Sequence, residues 1–116
     1  VPDVLAAASF PLVPFVNRIR GGVFSFRGRT ISLAPNMAGD PSPLHGQGWQ
    51  GVWMIVAASD SAATLRFDYG AGEWPWSYSA EQSFALSPTA LDLTLRCTNR
   101  SDEPMPCGLG QHPYYH

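Results

Sequence analysis

The chain has 116 residues, the length of a single domain, so we expect one domain rather than two. Its 45% hydrophobic content, with 12% Phe, Trp and Tyr, is enough to form a core and argues against intrinsic disorder. The formal net charge of -2, with only 14% charged residues and no lysine, disfavours nucleic acid as the main partner.

Features that the sequence lacks indicate a cellular setting. Every apolar run is shorter than the roughly 18 residues of a membrane-spanning helix, so we expect no membrane partner. The start, Val1-Pro2-Asp3, has neither an initiator Met nor the layout of a signal peptide, which indicates a trimmed start or a piece of a longer chain. Cys97 and Cys107 are too few for a disulfide scaffold, and their spacing fits neither a zinc nor a redox motif. We therefore expect a cytoplasmic location.

The first predicted element is a β-hairpin. Segments 23–26 and 30–33 flank Arg27-Gly28-Arg29, and Gly28 is suited to the positive φ of a tight turn. The expected buried face of this hairpin consists of Phe24, Phe26, Ile31 and Leu33.

Two further hairpins are predicted along the chain. The apolar segment 51–58 is followed by segment 63–69, in which apolar and charged residues alternate. Segments 78–86 and 90–98 flank the turn residues 87–89. The last segment has the clearest strand alternation, with one face formed by Leu91, Leu93, Leu95 and Cys97.

Strand-sized segments and frequent turns define the expected fold class. Eleven glycines and eleven prolines are spread along the chain, and no amphipathic helical window of useful length is present. The sequence therefore predicts an all-β protein, an antiparallel β-sandwich or barrel.

Histidines are the first candidates for chemistry. His45 and His112 lie in segments bounded by Gly and Pro, and the third histidine is His116. Imidazole is suited to proton transfer near neutral pH, whereas a histidine beside Gly and Pro is commonly a solvated loop residue. The residues alone leave both interpretations open, and their spacing does not favour a metal site.

Asn17 and Arg18 form a candidate polar-ligand site. They follow the proline-rich segment 10–15 and offer an amide and a guanidinium to the hydroxyl groups of a ligand. The alternative is that Asn17 forms a turn and Arg18 faces solvent.

The chain has four tryptophans, and Trp74 and Trp76 fall in a predicted loop beside Glu73. Indole faces stack on the C–H faces of sugars, and carboxylates accept hydrogen bonds from sugar hydroxyls, so this loop suits a carbohydrate. The same tryptophans equally fit a role in capping the open end of a sandwich core.

Five segments, in this order and in register from residue 10 to the end, resemble the aldose 1-epimerase (galactose mutarotase) family. They are Phe10-Pro11-Leu12-Val13-Pro14, Asn17-Arg18-Ile19, Leu44-His45-Gly46-Gln47-Gly48-Trp49, Gly72-Glu73-Trp74-Pro75-Trp76 and Gly108-Leu109-Gly110-Gln111-His112-Pro113-Tyr114. Each segment is weak by itself, but their combination is specific.

The resemblance implies a fold and an activity. The fold is the large antiparallel β-sandwich of galactose mutarotase-like proteins, the supersandwich, of which residues 1–116 would be the N-terminal part of a single domain. The activity is interconversion of the α and β anomers of a free hexose, by acid and base catalysis of ring opening and closure, without a metal or other cofactor. The expected partner is thus a small aldose sugar.

The resemblance also implies residue roles. His112 matches the general acid that protonates the ring oxygen, and His45 matches a second histidine that contacts the sugar. Asn17 and Arg18 match the position that binds sugar hydroxyls. Further candidate substrate contacts in the matched segments are Gln47, Trp49 and Trp74.

The glutamate that acts as general base in the family lies after the His-Pro-Tyr motif, and neither Glu73 nor Glu81 occupies its position. We therefore expect the base beyond residue 116, and an isolated 116-residue chain that is truncated, inactive and marginally stable. Its exposed strand edges would favour self-association.

Two alternative functions stay open. One is a non-catalytic carbohydrate-binding β-sandwich, which the tryptophan-rich loops would serve. The other is a hexose 6-phosphate 1-epimerase, in which an arginine such as Arg20 would hold the phosphate.

Overall fold

Strands dominate the computed structural model, which describes residues 3–115; Val1, Pro2 and His116, with the expectations that concern them, lie outside the described residues. The strands of this part of the chain are β1 (Ser9–Leu12), β2 (Val23–Phe26), β3 (Arg29–Ser32), β4 (Met54–Ala58), β5 (Ala62–Tyr69), β6 (Tyr78–Leu86), β7 (Leu91–Asn99) and β8 (Gly110–Pro113). Its helical segments are two short 3-10 turns, Val4–Ala6 and Arg20–Gly22, the second of which is interrupted by Gly21 at a φ of 65°. None of the helices within residues 3–115 has the length and apolar character needed to cross a membrane.

All strand pairs are antiparallel, which confirms the predicted fold class. Strands β4 to β7 form a four-stranded meander in chain order, β2 pairs with β3, and β1 pairs with β8. The β2–β3 pair and the meander join strands that are neighbours in sequence, whereas the β1–β8 pair joins strands near the two ends of the described chain. This long-range pair positions the candidate site.

The β2–β3 hairpin confirms the first predicted element and has a tighter turn than expected. Arg27 and Gly28 both have positive φ, 49° and 76°, and Arg29 already pairs with Phe26. Two consecutive residues at positive φ define a two-residue turn whose twist matches that of the strands. The predicted apolar face is also confirmed, because Ile31 and Leu33 are buried and the two phenylalanines pack against them.

The meander follows the predicted alternation. Cys97 of β7 lies opposite Ala80 of β6, which lies opposite Phe67 of β5, so these side chains share the apolar face. The neighbouring row, Asp68, Ser79 and Thr98, lies on the polar face. The second and third predicted hairpins are therefore confirmed.

Two clusters of buried side chains form the core. The first, which we call the sheet cluster, consists of Val13, Ile31, Leu33, Trp74, Trp76, Tyr78 and Ala80. The second, the strand-pair cluster, consists of Phe10, Leu12, Leu44 and Trp49. The strand-pair cluster packs two side chains of β1 against Leu44 and Trp49, and it contacts both candidate histidines.

Candidate functional site

His112 is positioned by the β1–β8 pair. It is the register partner of Phe10, and partners in an antiparallel pair place their side chains on the same face. The imidazole stacks on the Phe10 ring, with centroids 4.8 Å apart, and Tyr114 contacts it with a centroid distance of 4.9 Å. Its Nδ1 is buried and has no hydrogen-bond partner among residues 3–115. The nitrogen that can serve a ligand is therefore Nε2.

His45 lies on a loop and places its ring beside that of His112. Its ring centroid lies 5.8 Å from that of His112, with an edge-on angle of 73°, and 5.7 Å from that of Trp49. His45 has a φ of 60°, a left-handed conformation that is strained for a residue with a side chain. The structure thus brings together the two histidines that the family resemblance singles out.

Asn36 holds the strained loop in place. Its side-chain oxygen accepts a hydrogen bond from the Leu44 N–H at 2.7 Å, and its Nδ2 donates to the Leu44 carbonyl at 2.7 Å and to the Gly46 carbonyl at 3.3 Å. These bonds fix the backbone on both sides of His45. Sequence reasoning missed this residue, because a single asparagine in a turn-rich segment has no distinguishing pattern.

Asn17 determines which nitrogen of His45 carries the proton. The Asn17 N–H donates to His45 Nδ1 at 3.0 Å, and the His45 N–H donates back to the Asn17 carbonyl at 2.9 Å. Because Nδ1 is an acceptor, the neutral imidazole carries its hydrogen on Nε2. His45 can therefore donate a hydrogen bond to an oxygen atom of a ligand through Nε2.

The pKa of His45 is lowered from its ordinary value. Burial is the main cause, followed by the nearby positive charges of His112 and Arg18. A protonated His45 would also lose the hydrogen bond that Nδ1 accepts from Asn17. His45 is consequently held in its neutral, Nε2-protonated form.

This lowered pKa leads to a testable pH dependence. Protonation of His45 favours the unfolded chain, because the pKa of His45 is lower in the folded chain. The neutral imidazole therefore stabilises the fold fully above about pH 6.5, the ordinary histidine pKa, and this contribution is lost as the pH falls through the lowered pKa of the folded chain. We expect Arg18→Gln to raise the pKa of His45, because it removes a neighbouring positive charge. NMR titration of the His45 ring protons measures this change directly. Arg29→Gln is the control, and an equal rise in that variant would contradict the assignment.

Arg18 lies next to this histidine loop. Its Nη1 donates to the Asn17 Oδ1 at 3.2 Å, and its Nε donates to Asp40 Oδ2 at 2.6 Å. The Arg18 side chain is 51% exposed, and Asn17 has a φ of 65°, which asparagine tolerates better than most residues. Asn17 is thus hydrogen-bonded to His45, and the Arg18 side chain beside it is exposed to solvent.

The structure does not support the predicted sugar contact by Trp74. Its side chain is 2% exposed and packs among Phe15, Phe24 and Trp76, with centroids 5.8, 5.8 and 5.2 Å away. A fully buried indole has no face for a sugar. Trp74 and Trp76 instead both belong to the buried sheet cluster.

The side chains of two other predicted sugar contacts, Trp49 and Gln47, also do not face an open site beside the histidines. Trp49 is 4% exposed and packs on Phe10, so it supports the histidines and offers no open face for stacking. Gln47 Oε1 accepts a hydrogen bond from Tyr78 OH at 2.8 Å. Gln47 lines a cavity with Phe15 and Glu73 whose walls include neither histidine. Sequence proximity to His45 was misleading here, because successive side chains point in different directions.

Comparisons with known proteins identify the family of this chain. The sequence profile of the aldose 1-epimerase family matches residues 2–116. The chain is 41% identical to YphB, an uncharacterized protein of Escherichia coli K12, over 94% of this chain and 37% of YphB. It is 26% identical to YihR, another uncharacterized protein of that organism, over 89% of this chain and 34% of YihR. The chain thus spans less than two fifths of the length of these relatives.

Solved structures show the same fold. A protein of Escherichia coli K12, provisionally assigned as an aldose 1-epimerase, superposes with a TM-score of 0.90 at 40% identity, covering 97% of this chain and 38% of that one. A galactose mutarotase-like protein of Clostridium acetobutylicum superposes with a TM-score of 0.77 at 24% identity, covering 90% and 33%. The all-β fold is therefore of the galactose mutarotase-like type. With its profile match over nearly the whole sequence, this chain belongs to the aldose 1-epimerase family.

Proposed function

We propose that the protein containing this chain interconverts the α and β anomers of a free aldose. The observation that carries the proposal is the convergence of His45 and His112, from distant parts of the sequence, to a ring centroid distance of 5.8 Å beside Asn17 and Arg18. Two imidazoles and a guanidinium in one place offer proton transfer and hydroxyl binding, which are the requirements of mutarotation.

In the proposed reaction His112 is the general acid. A base removes the proton of the anomeric hydroxyl, the C1–O5 bond breaks, and the ring oxygen takes a proton from His112 Nε2. Rotation about C1–C2 and the reverse steps then give the other anomer, and His112 recovers its proton. His45, neutral and protonated on Nε2, donates a hydrogen bond near the ring oxygen.

The general base is proposed to lie outside this chain. The family resemblance implies a glutamate after the His-Pro-Tyr motif, and the relatives are more than twice as long as this chain. Glu73 is not a substitute, because its carboxylate accepts a hydrogen bond from the Ala34 N–H at 3.1 Å and lines the cavity that excludes both histidines.

The alternatives have less support. Burial of Trp74 and Trp76 removes the stacking surface that favoured a non-catalytic carbohydrate-binding module. For a sugar phosphate, Arg20 would have to lie near the histidines, but the arginine that hydrogen bonds join to the histidine loop is Arg18.

Polarimetry tests the proposal. We expect the full gene product to accelerate mutarotation of freshly dissolved α-D-glucose or α-D-galactose, and residues 1–116 alone to leave the spontaneous rate unchanged. Glucose 6-phosphate is the comparison substrate for the phosphate alternative. Sugar binding without acceleration by the full gene product would contradict the proposal in favour of a binding module.

A further inference from the structure

Asp40 is hydrogen-bonded both to its own loop and to Arg18. Its Oδ1 accepts a hydrogen bond from the Ser42 N–H at 3.0 Å, and the Ser42 hydroxyl accepts one from the Gly21 N–H at 3.2 Å. The Asp40 side chain is only 11% exposed. The Ser42 hydrogen bond and, second, the Arg18 contact lower the pKa of this carboxyl, so Asp40 is an anion.

The Asp40 carboxylate fixes the orientation of the Arg18 guanidinium. Its Oδ2 lies 2.6 Å from Nε, and Asn17 Oδ1 lies 3.2 Å from Nη1, so two nitrogens of one planar group are anchored. A planar group held at two points has little rotational freedom. Within the described part of the chain Nη2 has no hydrogen-bond partner, so its donors are available to a ligand.

We propose that Asp40 is a positioning residue, which holds Arg18 in the orientation that binds the hydroxyls of the sugar. This inference rests on the proposed function. Both carboxylate oxygens of Asp40 are engaged by the protein, so Asp40 acts through Arg18 and does not itself contact the sugar.

The expected consequence lies in substrate binding rather than in folding. The arginine of this ion pair is half-exposed, so the pair contributes little to stability. An arginine that loses its orientation, in contrast, must be ordered by the ligand at each binding event, which weakens binding. Asp40→Asn should therefore raise KM and leave the melting temperature nearly unchanged.

Kinetics of the full gene product test this expectation. We expect Asp40→Asn to raise KM for the aldose about tenfold while kcat changes less than about twofold, the pattern of lost uniform binding. Arg18→Gln should raise KM at least as much, and the double variant should resemble Arg18→Gln alone. The matched control is Glu103→Gln, which removes the carboxylate of the exposed Arg29–Glu103 pair and should change neither constant. An unchanged KM, or an effect of Asp40→Asn that adds fully to that of Arg18→Gln, would overturn the proposal.

An NMR measurement tests the positioning without any assay of activity. The Arg18 Nε–H signal, assigned by its loss in Arg18→Gln, should be protected from exchange with water in the wild-type protein and exposed in Asp40→Asn. Equal exchange in the two proteins would overturn the role of Asp40 even if mutarotation is confirmed. Conversely, a wild-type protein that does not act on any aldose would refute the proposed function, whereas this signal would still decide whether Asp40 fixes Arg18.

Discussion

Replacement of His112 by glutamine is expected to slow mutarotation by the full gene product by about 10²- to 10⁴-fold, the usual contribution of a general acid or base. Glutamine has a similar size and can donate a hydrogen bond, but it cannot transfer a proton near neutral pH. Because the His112 imidazole stacks on Phe10, the variant keeps an apolar contact with β1, and we expect it to fold. The decrease should therefore appear mainly in kcat.

Gln111→Met is the matched control for this experiment. Gln111 lies beside His112 on β8, and adjacent residues of a strand point to opposite faces of the sheet. If the loss in His112→Gln came from disturbance of β8, the control should lose comparable activity. Activity of His112→Gln within threefold of the wild type, measured by polarimetry at equal concentrations of folded protein, would rule out His112 as the acid.

The strands could be predicted from the sequence because their signal is local. Alternation of apolar and polar residues in 91–99 places the apolar side chains on one face wherever the strand lies, and Arg27-Gly28 specifies a tight turn through its own backbone preference. The pairing of β1 with β8 is different. Its register depends on residues about a hundred positions apart, and no local pattern reveals it.

The candidate site could be predicted only in part. His45 and His112 were singled out through their motif context, since the residues alone left both the proton-transfer and the solvated-loop interpretation open. Asn36 and Asp40 were missed, because their roles come from hydrogen bonds to distant backbone and side-chain atoms. The burial of Trp74 could not be predicted for a related reason: a Trp-Pro-Trp segment does not show whether its rings point inward or outward.

The second large effect is expected at Gly46, the residue that follows His45. Gly46 has a φ of 73°, and a Cβ built on it would lie 2.1 Å from the Val13 carbonyl oxygen and 2.5 Å from Pro14 Cδ. The obstructing atoms belong largely to the backbone at a bridge between Val13 and Gly46, so they cannot rotate away. Gly46→Ala should combine backbone strain with a steric clash in the loop that presents His45. We expect it to lower the free energy of unfolding by about 4 kcal/mol or more, at the upper end of single substitutions.

Gly39→Ala separates the clash from the strain. Gly39 has a similar φ of 81°, but a Cβ at this position would meet no atom within 4 Å. Its substitution should therefore cost only the strain of a left-handed alanine, about 1 kcal/mol. Chemical denaturation of the full gene product measures both variants, and the difference between their free energies of unfolding isolates the contact with Val13. Equal destabilisation by the two substitutions would show that the backbone at Val13 yields, and that the loop carrying His45 is less tightly held than its hydrogen bonds indicate.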